Sequence, residues 1–233
     1  MSNQLLETLA DLGSRSAAIP TSRRDVFRQI AKHGSKIAFV VAAPLVGSGC
    51  AVIGAAVAPQ TGLAKRTLEF AILLEELEHA FYVKALKVPG LIPASDRVVF
   101  EQIRKHEGAH VFFLNTGLTG IGGFPQIAPP FDFTGGGRYP GVFSDYRTFL
   151  EVSQMLEDTG VKAYKGQAGN LITSSKLLTA ALRIHSVEAR HAAEVRRLRG
   201  VKAWDGAFDE ALSKEEVLAM VSPFIQGGAA RRT

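Results

Sequence analysis

Strand-like alternation is missing from this 233-residue sequence. Nowhere do apolar and polar residues trade places over a useful length, which excludes a fold built on sheets. Cysteine is nearly absent too. Cys50 stands alone, so no internal disulfide staples the chain. Charged residues make up only 21% against 46% hydrophobic ones, which excludes a disordered polyelectrolyte. The net charge of +5 is unevenly spread: residues 1–58 hold six Lys and Arg against Glu7, Asp11 and Asp25. What remains is close to neutral, with no electrostatic footprint for nucleic acid, and no nucleic-acid partner is expected. Long hydrophobic runs are also lacking. The charge-free stretch 37–59 is 23 residues long but rich in Ala and Gly, with Pro44 inside it. Its weak hydrophobicity argues against a stable spanning helix, although its length would allow one.

The first 58 residues read as an export label. Ser22-Arg23-Arg24-Asp25-Val26-Phe27-Arg28 precedes that mildly apolar stretch, which ends in small residues. The adjacent arginines resemble the twin-arginine consensus. This implies the twin-arginine export machinery as a partner and a periplasmic or cell-envelope location. Ala56-Val57-Ala58 has the small-x-small form of a cleavage site, with Pro59 after it. Gly47-Ser48-Gly49-Cys50 resembles a lipoprotein box lacking its leucine, so Cys50 is either an acylated membrane anchor or a small apolar filler.

Helical periodicity marks four further segments: 63–87, 95–116 with Ser95 as N-cap, 144 or 145 to 167, and 173 or 174 to 199. Ser213 and Glu216 form a capping box for a short fifth helix ending before Pro223. Short links make antiparallel hairpins of the first and second pairs. A long Gly/Pro-rich connection, 117–143, separates them. The predicted architecture is all-α, a four-helix bundle over 59–200 with one long crossover, followed by an extension over 201–233 that carries the short helix.

The inward seams break the rules of a core. On the fourth helix Leu177, Ala181, Ile184, Glu188, His191, Val195 and Leu198 share one stripe. On the second, Phe100, Ile103, Glu107, His110 and Leu114 do the same. Each stripe thus carries a Glu-x-x-His pair where only apolar groups belong, and burying such groups unpaired costs several kcal/mol. On the first and third helices, Glu75 precedes Tyr82 by two turns and Glu157 precedes Tyr164 by two turns. The halves align as a duplicated hairpin: 32 positions separate Glu75 from Glu107, and 31 separate Glu157 from Glu188.

Four ionised glutamates in a dry core repel one another, and two divalent cations would cancel that charge. Carboxylate and imidazole donors suit iron or manganese. The pattern resembles the ferritin-like di-iron/di-manganese carboxylate proteins. The segments 74–82, 131–134 and 156–164 are similar to exported bacterial ferritin-like proteins of the desiccation-associated branch. The resemblance implies a ferritin-like bundle with Glu75 and Glu157 as terminal ligands, Glu107 and Glu188 as bridges, and His110 and His191 capping one metal each. It also implies that Tyr82 and Tyr164 orient carboxylates across the bundle.

Glu78 and His79 are alternates on the first helix. Glu78 shares much of the face of Glu75, and His79 lies one turn on from it. Chance supplies fewer than one Glu-x-x-His pair in a chain with 14 Glu and six His, yet there are three, because Glu76 and His79 also fit by coincidence of spacing. His106 and His185 read as surface or packing residues, and Arg190, Arg196, Arg197 and Arg199 as partners of a helix dipole. The expected function is a dinuclear iron or manganese protein, either an oxidoreductase acting on dioxygen or peroxide in stress protection or a non-catalytic metal-binding stress protein.

Overall fold

The computed structural model describes residues 51–226, and the twin arginines and Cys50 lie outside the described residues. The described chain is all-helical: α1 (Ala51–Ala85), α2 (Ala94–Gly120), α3 (Tyr146–Gln167), α4 (Ser175–Leu198) and the short α5 (Lys214–Val221). Single 3-10 turns follow α3 and α5. Among the described residues there is no strand, only an isolated bridge between Phe131 and Ile225. None of the described helices is long and apolar enough to cross a membrane.

Local chemistry sets the helix ends. Asp145 caps α3 by accepting the Thr148 N–H at 2.8 Å, and Ser174 caps α4 through Leu177. Ser213 and Glu216 form the capping box of α5. Three boundaries differ from those read in the sequence. Helix α1 starts at Ala51 rather than 63, so position 58 falls inside a continuous helix. Pro93, not Ser95, occupies the N-cap of α2, and the Ser95 hydroxyl donates to Asp96 instead. Helix α2 also runs on to Gly120, with the hydroxyls of Thr116 and Thr119 bonded back to the Phe112 and Asn115 carbonyls within the helix.

Helices α1 and α2 pack as one hairpin, α3 and α4 as the other. The crossover between them carries Phe133 and Phe143, whose rings lie 5.6 Å from that of Phe81. Asp132 clasps this connection, accepting from the Thr134 N–H and hydroxyl and from the Gly136 N–H. The chain after α5 bonds back to it through Asp132 N–H to Phe224 O and Gln226 N–H to Pro130 O, both 2.9 Å. The strap before α5 lies on α3, with the Leu212 N–H donating to Lys162 O. It comes so close that a Cβ on Gly166 would sit 1.8 Å from the Leu212 carbonyl oxygen. Arg196 binds Asp158 and Asp205 in forked pairs near 2.8 Å, so it fastens this strap rather than serving only a helix dipole.

Two apolar clusters fill the bundle, one rich in aromatic rings (Phe81, Tyr82, Phe100, Phe149) and one aliphatic (Leu68, Ile72, Leu114, Ile184). Each fully buried large apolar side chain contributes about 1.5–3 kcal/mol. Within this core lie Glu75, Glu107, Glu157 and Glu188, all at 0% exposure, together with buried His110 and His191. Such burial is costly unless the groups are matched to one another or to a cation.

Candidate metal centre

Each hairpin delivers its polar residues from the middle of two helices. Glu75 comes from α1, Glu107 and His110 from α2, Glu157 from α3, and Glu188 and His191 from α4. The i, i+3 spacing puts each Glu/His pair on one face, and the six predicted side chains converge. Their donor atoms form two groups, Glu75–Glu107–His110–Glu188 and Glu107–Glu157–Glu188–His191, each with all atoms within 4.8 Å of one another. Glu107 and Glu188 belong to both.

The two oxygens of each shared carboxylate divide between the groups. His110 Nδ1 lies 3.0 Å from Glu188 Oε1, 3.1 Å from Glu75 Oε2 and 3.3 Å from Glu107 Oε2. His191 Nδ1 lies 2.8 Å from Glu107 Oε1, 3.4 Å from Glu157 Oε2 and 3.7 Å from Glu188 Oε2. The remaining oxygens of the unshared glutamates point away, to tyrosines of the opposite hairpin. The Tyr82 hydroxyl donates to Glu157 Oε1 at 2.5 Å, and the Tyr164 hydroxyl donates to Glu75 Oε1. Each half therefore orients a carboxylate of the other.

This donor set fits cations better than it fits itself. Each Nδ1 is ringed by three carboxylate oxygens, yet an imidazole nitrogen carries at most one proton. Five buried atoms consequently find no hydrogen-bond partner: Glu107 Oε1, Glu157 Oε2, both oxygens of Glu188 and His191 Nδ1. A cation about 2.1 Å from its ligands sets neighbouring ligands about 3.0 Å apart, close to the shorter of these spacings. These buried Glu and His groups could bind a metal.

Electrostatics agree. Burial opposes charge on His110, but the carboxylates of Glu107, Glu188 and Glu75 around its Nδ1 outweigh it and push its pKa up to about 12. His191 is raised as well: burial pulls it down, and Glu157 leads the carboxylates that overcome it. Burial raises Glu188, but the close approach and charge of the two rings outweigh it and draw it down to about 2. Even so, burial and neighbouring carboxylates hold Glu107 well above the usual range, and burial leaves Glu157 at about 7. Two imidazolium charges do not satisfy this cluster. Burial and the carboxylate each one touches push Tyr82 and Tyr164 upward, so both stay protonated donors.

The alternates on α1 separate cleanly. Glu78 is buried beside the centre but belongs to neither donor group. Burial and then the charge of Glu188 push its pKa far up. A Cβ on Gly160 of α3 would lie 3.2 Å from Glu78 Oε1 and 3.6 Å from Glu188 Oε2, so only glycine leaves this corner open. His79 is half-buried over Gly108 of α2 and also stands outside both groups.

One residue at the centre escaped the sequence reading. His106 is not a packing residue: its Nδ1 lies 2.9 Å from His191 Nε2, and its own Nε2 lies 2.6 Å from the Gln102 amide. The signal was its place one turn before His110, on the flank of the same stripe. His185 stays outside, half-buried, with Nε2 lacking a partner.

Comparison with known proteins places the fold. Residues 64–201 match the profile of the family described as ferritin-like domain. No curated protein matches the chain. The solved structure of a ferritin-like, diiron-carboxylate protein from Bacillus anthracis str. Ames aligns at a TM-score of 0.50 and 19% identity, covering 60% of this chain and 97% of that one. At that identity the likeness is one of fold.

Proposed function

Because this chain belongs to the ferritin-like domain family, we propose that it is an exported protein holding a pair of iron or manganese ions and acting as an oxidoreductase toward dioxygen or peroxide. Glu107 and Glu188 would bridge the pair, Glu75 with His110 would complete one coordination set, and Glu157 with His191 the other. Bound there, the metals would supply the redox chemistry that no amino-acid side chain of this centre provides. The chain's own work is to hold and aim. Tyr82 and Tyr164 each occupy one oxygen of a terminal glutamate, leaving the other directed inward. The apolar clusters on both sides keep bulk water away, which strengthens every charge interaction inside. The twin arginines at 23 and 24 support export as a folded, metal-loaded protein.

The observation that carries this reading is the split of each shared carboxylate between the two imidazoles, with buried oxygens left over. A hydrogen-bond network meant only for folding would have no use for acceptors without donors.

The test is metal analysis of the full chain loaded with iron(II) or manganese(II). Two ions per chain are expected, one after His110→Ala or His191→Ala, and none after Glu107→Ala. No metal in the parent chain overturns the reading. Turnover of dioxygen or peroxide, lost in Glu107→Ala, supports the oxidoreductase, whereas two tightly held ions without turnover favour a sequestering stress protein.

A further inference from the structure

Aligning the duplicated hairpins in sequence pairs Tyr82 with Tyr164, and the residues around the two rings differ in bulk. Around Tyr82 the space is filled by Phe81, Phe100 and Phe149, with centroids 5.3, 5.9 and 6.4 Å from its ring. The equivalent positions around Tyr164 are Ala163, Ala181 and Thr67. Three phenyl groups are thus replaced by two methyls and a threonine, and Phe70 and Leu171 beside them fill the space only in part. A partly open pocket of about 30 Å3 lies there, lined by these three residues with Leu74, Leu114, the Tyr164 ring and Gln167.

Its position and chemistry give the cavity a use. Leu74 adjoins Glu75 in sequence, Leu114 lies one turn beyond His110, and the Tyr164 ring separates the cavity from Glu75, to which its hydroxyl donates. The wall is apolar almost throughout. A cavity needs about 10–15 Å3 to admit one water, and apolar ones stay dry and accept nonpolar guests. This one is large enough for a diatomic molecule and exposes almost no polar surface, even though Thr67 and Gln167 line it. We propose that it is a holding site for dioxygen beside the metal centre. The inference rests on the metal-binding reading above and sharpens it, because hydrogen peroxide would have to give up its hydrogen bonds to water on entering. Dioxygen, having none, would not.

Xenon is the probe, since it reports on the cavity without any metal. Metal-free full-length protein should bind xenon at Ala163, Ala181 and Tyr164, seen in xenon-pressurised crystals or by xenon NMR. Ala181→Phe, which copies the residue present in the other half, should abolish that binding, with Ala181→Leu as a second variant should the ring not fit. In iron(II)-loaded protein either substitution should slow oxidation by dioxygen about tenfold or more, as filling a pocket does, while metal content and oxidation by hydrogen peroxide stay unchanged. A chain that holds two metal ions but takes up no xenon overturns this proposal alone. So do variants that slow both oxidants alike, or neither. A chain that takes up xenon but holds no metal overturns the earlier reading and this one with it.

Discussion

Replacing Glu107 by glutamine should separate a metal ligand from a structural buried acid. In metal-free protein Glu107 is fully buried, and burial followed by the charge of Glu188 pushes its pKa well up, which favours its protonated form. Glutamine is then nearly isosteric and isoelectronic with what it replaces. The metal-free variant should melt within a few degrees of the parent. With metal the outcome reverses. A ligand at about 100 times its dissociation constant stabilises the fold by about 2.7 kcal/mol, so two independent ions contribute about 5 kcal/mol. At about 2–4 °C per kcal/mol for a domain of this size, the parent should gain about 10–20 °C on adding manganese(II). Because Glu107 stands in both donor groups, Glu107→Gln should lose nearly all of that gain, and His110→Ala about half. Scanning calorimetry with and without manganese reads both quantities. Two results refute the reasoning. One is a variant that keeps the full metal-induced shift. The other is a metal-free variant that falls by about 3–5 kcal/mol, the cost of breaking a buried ion pair, which would make Glu107 a member of a folding network.

Four further outcomes follow from the same geometry. Metal binding must displace protons from His110, whose pKa stands at about 12 in the metal-free centre, so affinity should rise with pH; calorimetry in buffers of different ionisation enthalpy should show proton release, and its absence counts against the ligand set. His106→Phe should weaken one ion of the pair about 10–100-fold through the loss of the contact to His191, with partial rescue by His106→Asn and no change at the Glu75–His110 group; equal weakening of both ions would mean a general structural defect. Gly160→Ala gains about 1 kcal/mol of helix propensity but crowds Glu78 and Glu188, so the metal-free protein should hold its stability while metal affinity falls, and unchanged affinity refutes the crowding argument. Gly166→Ala should do the opposite, lowering thermal stability by about 1–3 kcal/mol through collision with the Leu212 backbone while metal content stays at the parent level; a neutral result would show that the strap yields.

What the sequence made legible was whatever repeats along a helix. An apolar stripe interrupted by Glu107 and His110, and another by Glu188 and His191, announces a buried polar band, because nothing else puts such groups at those positions. The spacing from Glu75 to Tyr82 and from Glu157 to Tyr164 likewise marked residues that the fold buries together. What could not be read depends on contacts between helices. His106 sits just off the stripe of α2, and only the approach of α4 brings it to His191. Arg196 looked like a dipole partner because Asp158 and Asp205 lie far from it or beyond the helix end. The N-cap of α2 was misplaced by two residues because Ser95 is a better cap by type than Pro93, which offers no side-chain cap hydrogen bond.

The duplication also explains why the two halves are not equivalent. Aligning Glu75 with Glu157 puts Glu78 opposite Gly160, and these two are in contact across the bundle. A carboxylate at both positions would place two buried acids in one corner, so one half keeps the glutamate and the other removes even the Cβ. Aligning Glu107 with Glu188 puts His106 opposite Val187, so only the His191 side of the centre has an imidazole leading outward toward Gln102. The Glu75 side faces the apolar cavity behind Tyr164 instead. A symmetric ligand set is thus embedded in asymmetric surroundings, one flank hydrogen-bonded toward solvent and the other dry. Two ions bound there would share bridging carboxylates yet differ in what reaches them, and any difference between them in affinity or reactivity would trace to Glu78, His106 and the missing phenyl rings rather than to the six donor residues.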